Sequence, residues 1–121
     1  MKFLWTTVYV KDMGKSLYFY TDLLGLEISH RLSMPDMDII FLGKQQETLL
    51  ELIEDKALLD VNNRGTFSVG FKSNDAPALI DKLRLAGVRI IGGPIKPNEI
   101  TKFWFVEDPD GLKVQIVEQE D

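Results

Sequence analysis

The chain has 121 residues and no cysteine, 45% of its residues are hydrophobic and 27% are charged, and its formal net charge is −5. This length is enough for one compact domain with a substantial core, and the balance is ordinary for a globular protein. Without cysteine the chain has no disulfides and no thiolate ligands. The absence of any run of ~20 apolar residues excludes a membrane span. An acidic chain without a basic stripe is a poor nucleic-acid binder.

The first half of the chain predicts a strand, a helix and three further strands. Residues 3–10 alternate loosely and are rich in β-branched and aromatic types, which is typical of a strand. Asp12 is a good N-cap, and apolar residues then recur at helical spacing until Gly25, which suits the position after a helix. The further strands are predicted over residues 26–33, 38–42 and 48–53.

After a polar connector, the same order of elements is predicted again. Residues 66–73 form a strand, Asp75 is the next N-cap, and Gly87 ends the second helix. Gly92 opens a predicted loop that reaches about Ile100. The remaining strands are predicted over residues 88–91, 101–107 and 112–118.

Four landmarks recur at an offset of 62 to 64 residues, which indicates two copies of one βαβββ unit. The four pairs are Trp5 with Ser68, Asp12 with Asp75, Gly25 with Gly87, and Glu51 with Gln115. The repeats cover about residues 1–54 and 66–119, with a connector over 55–65, in one domain spanning residues 1–121. The expected fold class is α+β, with two βαβββ modules whose curved mixed sheets form a cleft.

Side-chain alternation along the strands predicts which residues line this cleft. The cleft-facing set offers aromatic, hydroxyl, carboxylate and amide groups. The candidate ligand contacts within it are Trp5, Thr7, Tyr9, Glu51, Ser68 and Gln115. The strand over residues 102–106 is apolar on both faces, so its parity is undecided, and Trp104 is a further candidate for the pocket.

Three stretches of the chain carry a family resemblance: VKDMGKSLYFYTDLLGLEI, LLELIE and FVEDPDGLKVQIVE. They resemble the vicinal oxygen chelate superfamily, which includes glyoxalase I, extradiol dioxygenases, and fosfomycin and bleomycin resistance proteins. The pattern is most similar to bacterial glyoxalase I and covers nearly the whole chain. The resemblance implies the glyoxalase/bleomycin resistance fold and a homodimer, since cleft and dimer interface are often built together in this family.

The resemblance also bears on metal binding. In the metal-dependent branch, two histidines and two glutamates commonly bind a divalent metal from four strand positions. Those positions hold Trp5, Glu51, Ser68 and Gln115 here, so that only Glu51 matches. An indole has no lone pair to give, and a neutral hydroxyl or amide is a weak ligand, whereas zinc and nickel favour imidazole, thiolate or carboxylate. We therefore expect no divalent metal and no other cofactor.

Several residues keep a functional and a structural interpretation. Trp5 either stacks on a flat ligand or fills the volume that a metal and its ligands would occupy. Glu51 has three interpretations: it acts as a general base, it accepts a hydrogen bond from a cationic or amide group of a ligand, or it is a structural carboxylate held by its polar neighbours. His30, the only histidine, lies near the end of the second predicted strand, away from the family's ligand positions, which favours a surface role.

The leading prediction is a metal-free protein that binds a small organic molecule, aromatic or cationic, in its cleft, as bleomycin resistance proteins bind theirs. The enzymatic alternative is a divergent glyoxalase-like lyase or isomerase that uses Glu51 as its catalytic group. A third alternative is a dimerisation or regulatory module whose cleft is filled. No nucleic-acid or membrane partner is expected. The first residues do not resemble a signal peptide, which predicts a cytoplasmic location.

Overall fold

The computed structural model describes residues 1–120, which form eight strands, two α-helices and one π-helical segment. The chain divides into two compact units, Met1–Asn63 and a second unit that begins at Arg64. Each unit contains one four-stranded mixed sheet and one α-helix. The predicted α+β fold with two βαβββ modules is confirmed, and each strand was expected within a few residues of its observed position.

The first unit runs in the predicted order of elements. They are β1 (Trp5–Tyr9), α1 (Met13–Leu17), a π-helical segment (Tyr18–Leu23), β2 (Ile28–Met34), β3 (Met37–Leu42) and β4 (Leu49–Asp55). The sheet order is β1-β4-β3-β2, in which β1 is parallel to β4 and the other pairs are antiparallel. The parallel pair is possible because the helical segment carries the chain from β1 back across the sheet.

The helix of the first unit departs from the predicted single α-helix. Asp12 is the N-cap as expected, and its side chain accepts a hydrogen bond from the Lys15 amide at 3.1 Å. The α-helical part ends at Leu17, after which the Leu24 amide donates to the Phe19 carbonyl at 3.0 Å, five residues back. The Thr21 hydroxyl donates to the Leu17 carbonyl at 2.6 Å and occupies an acceptor that a helical amide would otherwise use.

Glu54 in β4 fixes the start of α1 against the sheet. Its Oε2 accepts a hydrogen bond from the Met13 amide at 2.8 Å. The first amides of a helix have no partner inside the helix, and a carboxylate also complements the helix dipole. Glu54 therefore serves the fold, whereas Glu51 on the same strand points to the other face.

The second unit repeats the topology of the first. Its elements are β5 (Ser68–Lys72), α2 (Ala76–Leu85), β6 (Ile90–Ile95), β7 (Thr101–Glu107) and β8 (Lys113–Gln119), with sheet order β5-β8-β7-β6. Asp75 is the N-cap of α2, as predicted, and accepts from the Ala78 amide at 3.1 Å. Gly87 has a φ of +83°, the left-handed conformation that suits the residue after a helix.

The predicted loop that begins at Gly92 is wrong in its first part, because β6 continues through Gly92, Gly93 and Pro94 to Ile95. The pairing of β6 with β7 shifts register twice, between Ile90 and Gly92 and between Gly92 and Ile95. Regular strand pairing disfavours two glycines and a proline, and these register shifts accommodate them in an edge strand. A Cβ at Gly93 would come within 2.8 Å of the Trp104 Cα, so only glycine fits there.

Each sheet buries one face beneath the helical part of its own unit. In the first unit this core consists mainly of Val8, Phe19, Tyr20, Ile40, Leu42, Leu50 and Leu52. In the second unit it consists mainly of Ile80, Leu83, Trp104, Val106, Val114 and Ile116. The opposite face of each sheet has no helix of its own unit over it, and these two surfaces are called the first and second open faces below.

Within residues 1–120, no helix combines the length and the apolar character needed to cross a bilayer. The cytoplasmic location stays a prediction.

Candidate ligand-binding site

The first open face is organised around one row of side chains that crosses all four strands. Thr7 in β1 pairs with Glu51 in β4, Glu51 pairs with Phe41 in β3, and Phe41 pairs with His30 in β2. Directly opposite residues of neighbouring strands point to the same side of a sheet. The row therefore presents a hydroxyl, a carboxylate, a phenyl ring and an imidazole on one surface.

Thr7 orients the carboxylate of Glu51. Its Oγ1 donates a hydrogen bond to Oε1 of Glu51 at 2.5 Å, a short distance that is typical of a hydroxyl bound to a carboxylate. Thr7 is exposed and Glu51 is half-buried. One carboxylate oxygen is therefore held by the sheet, which fixes the direction in which the other oxygen points.

Three rings form a continuous aromatic strip on the same face. Trp5 reaches from β1 across β4 and meets the Phe41 ring edge-on, with centroids 5.3 Å apart. The His30 ring stacks on Phe41 at 4.3 Å, with only 16° between the two planes. Phe41 is 6% exposed, whereas Trp5 is 46% exposed. The strip is therefore a buried phenyl ring flanked by two accessible rings.

An apolar floor supports this strip. Ile39, Phe41 and Ile53 form a buried cluster, against which Met37 and Leu49 pack. Tyr9 lies beside this floor and is 42% exposed. The packing of this cluster restricts the rotamers of Phe41, the ring against which Trp5 and His30 lie.

The second open face has the equivalent row with different chemistry. Gly70 in β5 pairs with Gln115 in β8, Gln115 with Phe105 in β7, and Phe105 with Gly92 in β6. The Gln115 side chain lies over Gly70, where an added Cβ would be 3.2 Å from Oε1 of Gln115.

The phenyl group of this second row has an aromatic and a cationic neighbour: the Phe103 ring meets Phe105 edge-on, with centroids 5.4 Å apart, and a lysine lies over it. Lys113, the partner of Ser68 across the strands, has its Nζ 5.7 Å from the centroid of the Phe105 ring. This is within the range of a cation–π contact. The second open face therefore presents an ammonium group and a neutral amide.

Six of the seven predicted site residues lie on one of the two open faces, and the seventh, Trp104, lies on neither. Thr7, Glu51, Trp5 and Tyr9 lie together on the first open face, and Ser68 and Gln115 lie on the second. The expectation that Trp104 belongs with them is wrong. Trp104 is 7% exposed and pairs with Ile116 on the helix-covered side of the second sheet, and Phe103 and Phe105 take the open side instead.

Sequence reasoning missed His30, which it placed away from the candidate site. A register shift between Ile28 and His30 moves His30 opposite Phe41, on the open face, whereas Ile28 pairs with Leu42. Strict alternation would give His30 and Ile28 the same face, so the pattern alone misassigns it. Phe41 could not be assigned to a face from the pattern either, because residues 39–42 are all apolar and all buried.

Arg31, the neighbour of His30, is engaged in a separate ion pair. Its guanidinium makes two hydrogen bonds with the Asp38 carboxylate, at 2.7 and 3.1 Å. The hydrogen bond and the charge of Asp38 raise the pKa of Arg31 above its usual value. A raised pKa keeps the Arg31 guanidinium protonated throughout the neutral range.

The donor chemistry of the four family ligand positions does not fit a divalent metal. On the first open face the pair is Trp5 and Glu51, and on the second it is Ser68 and Gln115. The first pair offers one carboxylate, and the second offers only neutral oxygens. Within residues 1–120, no group of three or more histidine, cysteine, aspartate or glutamate side chains is placed to hold a metal ion.

The chain is a member of a large superfamily whose fold and residue pattern it shares. The family model described as Glyoxalase/Bleomycin resistance protein/Dioxygenase superfamily matches residues 2–116. This match covers almost the whole chain, so the chain belongs to that superfamily, as its motifs indicated.

Similar proteins fall into a lyase group and a wider structural group. The chain is 33% identical to the probable lactoylglutathione lyase of Synechocystis, over 98% of this chain and 95% of that protein. It is 29% identical to the lactoylglutathione lyase of Escherichia coli O157:H7, over 100% of this chain and 95% of that protein.

Among solved structures, the fold matches glyoxalase I of Leishmania major with a TM-score of 0.84 and 23% identity, over 98% of this chain and 86% of that one. It also matches TnmS3, an antibiotic binding protein from Streptomyces, with a TM-score of 0.75 and 20% identity, over 99% and 97%. At these identities, the structures establish the fold alone.

Proposed function

We propose that this protein binds a small organic molecule without a metal ion, and that the first open face recognises it. The observation that carries the proposal is the row of Thr7, Glu51, Phe41 and His30 with Trp5 beside it. Sites for organic ligands are mostly apolar and aromatic, with a few placed polar groups. The strip supplies the aromatic surface, and Glu51 supplies one oriented polar group.

The metal-free part of the proposal rests on the donor set. A protein that bound its ligand through a metal would need several side chains that are strong metal donors. At the four family positions, Glu51 is the single strong donor. Ser68 and Gln115 are proposed as a separate set of ligand contacts on the second open face, because a hydroxyl and an amide hydrogen-bond well even though they are weak metal ligands.

The experiment is a compound screen on protein stripped of metal with EDTA, read by thermal shift and confirmed by calorimetric titration. We expect ligands that bind equally well with and without EDTA. Trp5→Ala should weaken the best ligand, whereas Tyr18→Ala, which removes a half-exposed ring on the helical segment, should not. Binding that disappears with EDTA and returns with nickel or zinc would refute the proposal.

A second candidate is a divergent lyase or isomerase, favoured by the 33% identity to a probable lactoylglutathione lyase. In this case Glu51 acts as the general base, oriented by Thr7. The test is the formation of lactoylglutathione by protein supplied with nickel or zinc. Activity that is lost in Glu51→Gln and kept in Glu47→Gln would establish the lyase. No activity in the unmodified protein would remove it.

We also propose a homodimer. Several large apolar side chains lie exposed on or near the first open face, which is typical of a surface that associates with another chain. They include Phe3, Trp5, Tyr9, Leu32 and Met34. Light scattering coupled to gel filtration should give a mass twice the 13.8 kDa of the chain, and a mass of 13.8 kDa would contradict the dimer.

A further inference from the structure

We infer that the first open face selects planar aromatic cations, with the ligand ring on the strip of Trp5, Phe41 and His30 and its cationic N–H group on Glu51. The inference rests on the proposed function and adds the chemical class of the ligand. It predicts discrimination by charge among flat molecules of the same size.

The ring part of the inference follows from the exposure of the strip. Phe41 is buried, and the rings of Trp5 and His30 flank it at centroid distances of 5.3 and 4.3 Å. The face of His30 that does not contact Phe41 and the exposed part of Trp5 are the surfaces left for a ligand. Flat rings stack on such surfaces, and contact with Phe41 already limits the freedom of both rings.

The charge part follows from the position of Glu51 beside the strip. Trp5 lies opposite Leu49 in β4, and its ring contacts Phe41, the β3 partner of Glu51, so the ring crosses β4 between Leu49 and Glu51. A ligand ring stacked on Trp5 consequently lies beside this carboxylate. Charge-assisted hydrogen bonds are stronger than neutral ones, and an indole face also attracts cations.

The carboxylate is already oriented for such a ligand. Thr7 donates to Oε1 of Glu51, and Oε2 is left to accept a hydrogen bond from an N–H group of the ligand. A carboxylate that is held in this way loses little rotational freedom when the ligand binds. A carboxylate only accepts hydrogen bonds, so Oε2 favours a ligand donor over a ligand acceptor.

The second open face lacks this selectivity for cations. The ammonium group of Lys113 lies over Phe105, and the residue at the position equivalent to Glu51 is the neutral Gln115. A cation stacked on Phe105 would meet a like charge. The selectivity is therefore a property of the first face, and substitutions there should alter it.

The test uses three flat tricyclic probes at pH 7.5 and low salt: proflavine as the cation, acridine as the neutral form and anthracene-9-carboxylate as the anion. Binding to metal-stripped protein is measured by titration calorimetry. We expect proflavine to bind at least about tenfold more tightly than acridine, which is the scale of one hydrogen bond to a charged group. Anthracene-9-carboxylate should bind more weakly than acridine.

The variants separate the contribution of charge from that of stacking. Glu51→Gln keeps the shape of the side chain and should remove the preference for proflavine over acridine. Trp5→Ala should weaken both probes by a similar factor, about three- to tenfold. Glu47→Gln removes an exposed carboxylate from the turn between β3 and β4 and should change nothing. Circular dichroism of each variant verifies that it is folded.

Equal binding of the three probes, or a preference that survives Glu51→Gln, would overturn the inference. If neutral or anionic compounds from the screen bind through Trp5 while proflavine does not, this inference fails and the proposed function stands. If no compound of any charge binds to the metal-stripped protein, both fail.

Discussion

The two sheets share one topology, and yet their open faces carry opposite chemistry. Their central rows read Thr7, Glu51, Phe41 and His30 in the first sheet, and Gly70, Gln115, Phe105 and Gly92 in the second. Both rows place a phenylalanine at the same point. Its neighbours are a carboxylate and an imidazole in one case, and an amide and a glycine in the other.

This difference shows how a duplicated scaffold acquires distinct surfaces without changing its backbone plan. His30 stacks on Phe41, whereas Gly92 cannot cover Phe105, which is contacted edge-on by Phe103 and approached by the ammonium group of Lys113. Thr7 hydrogen-bonds to Glu51, whereas Gly70 makes room for the Gln115 side chain. The function of each face therefore depends on a few side chains in one row, while the helix-covered cores keep the two folds alike.

The two central rows should differ most in how far truncation of their phenylalanine lowers the free energy of unfolding. Phe41→Ala should lower the free energy of unfolding by about 3–5 kcal/mol, because it leaves a cavity in the buried cluster of Ile39 and Ile53. Phe105→Ala should cost clearly less, since Phe105 is only half-buried. Urea unfolding followed by circular dichroism measures both.

Leu85→Ala provides a matched control, because Leu85 is 91% exposed at the end of α2 and should contribute little. If Phe105→Ala proved as destabilising as Phe41→Ala, the description of the first strip as a packed platform and the second as an open one would be wrong.

An intermediate effect is expected at Thr7. Thr7→Val keeps the shape but removes the hydrogen bond to Glu51, which should lower stability by about 0.5–1.5 kcal/mol. It should also weaken the binding of proflavine, because Glu51 is no longer oriented. Thr6→Val on the opposite side of the same strand is the control for a general effect on β1. Unchanged binding in Thr7→Val would argue against an orienting role.

The smallest effect is expected at Lys113. Lys113→Met keeps most of the aliphatic stem and removes the ammonium group above Phe105, a contact worth about 0.5–1 kcal/mol at an accessible site. Proflavine binding to the first open face should not fall. A marked loss of proflavine binding in this variant would show that the probe binds through the second face after all.

Much of the fold was predictable because local signals and a repeat agree. Asp12 and Asp75 are N-caps in the structure, and Gly25 and Gly87 have positive φ, as their equivalent positions in the two repeats predicted. The family motifs, confirmed by the match to residues 2–116, led to the same fold. Agreement between local preference and global fold is what makes a sequence predictable.

The candidate site was less predictable, because register shifts override alternation. The shift between Ile28 and His30 brings the only histidine into the central row. The side to which Trp104 points could not be decided from a strand that is apolar on both faces; its place under α2 depends on the pairing with Ile116. Both outcomes depend on which residues pair across strands, and such pairing is not encoded by one strand alone.

The central claim is that this member of the superfamily works without a metal, and titration calorimetry with nickel and zinc tests it most directly. We predict no metal in the purified protein by elemental analysis and no saturable binding of nickel or zinc on titration. Stoichiometric binding of nickel or zinc by the unmodified chain, lost in Glu51→Gln, would contradict the account.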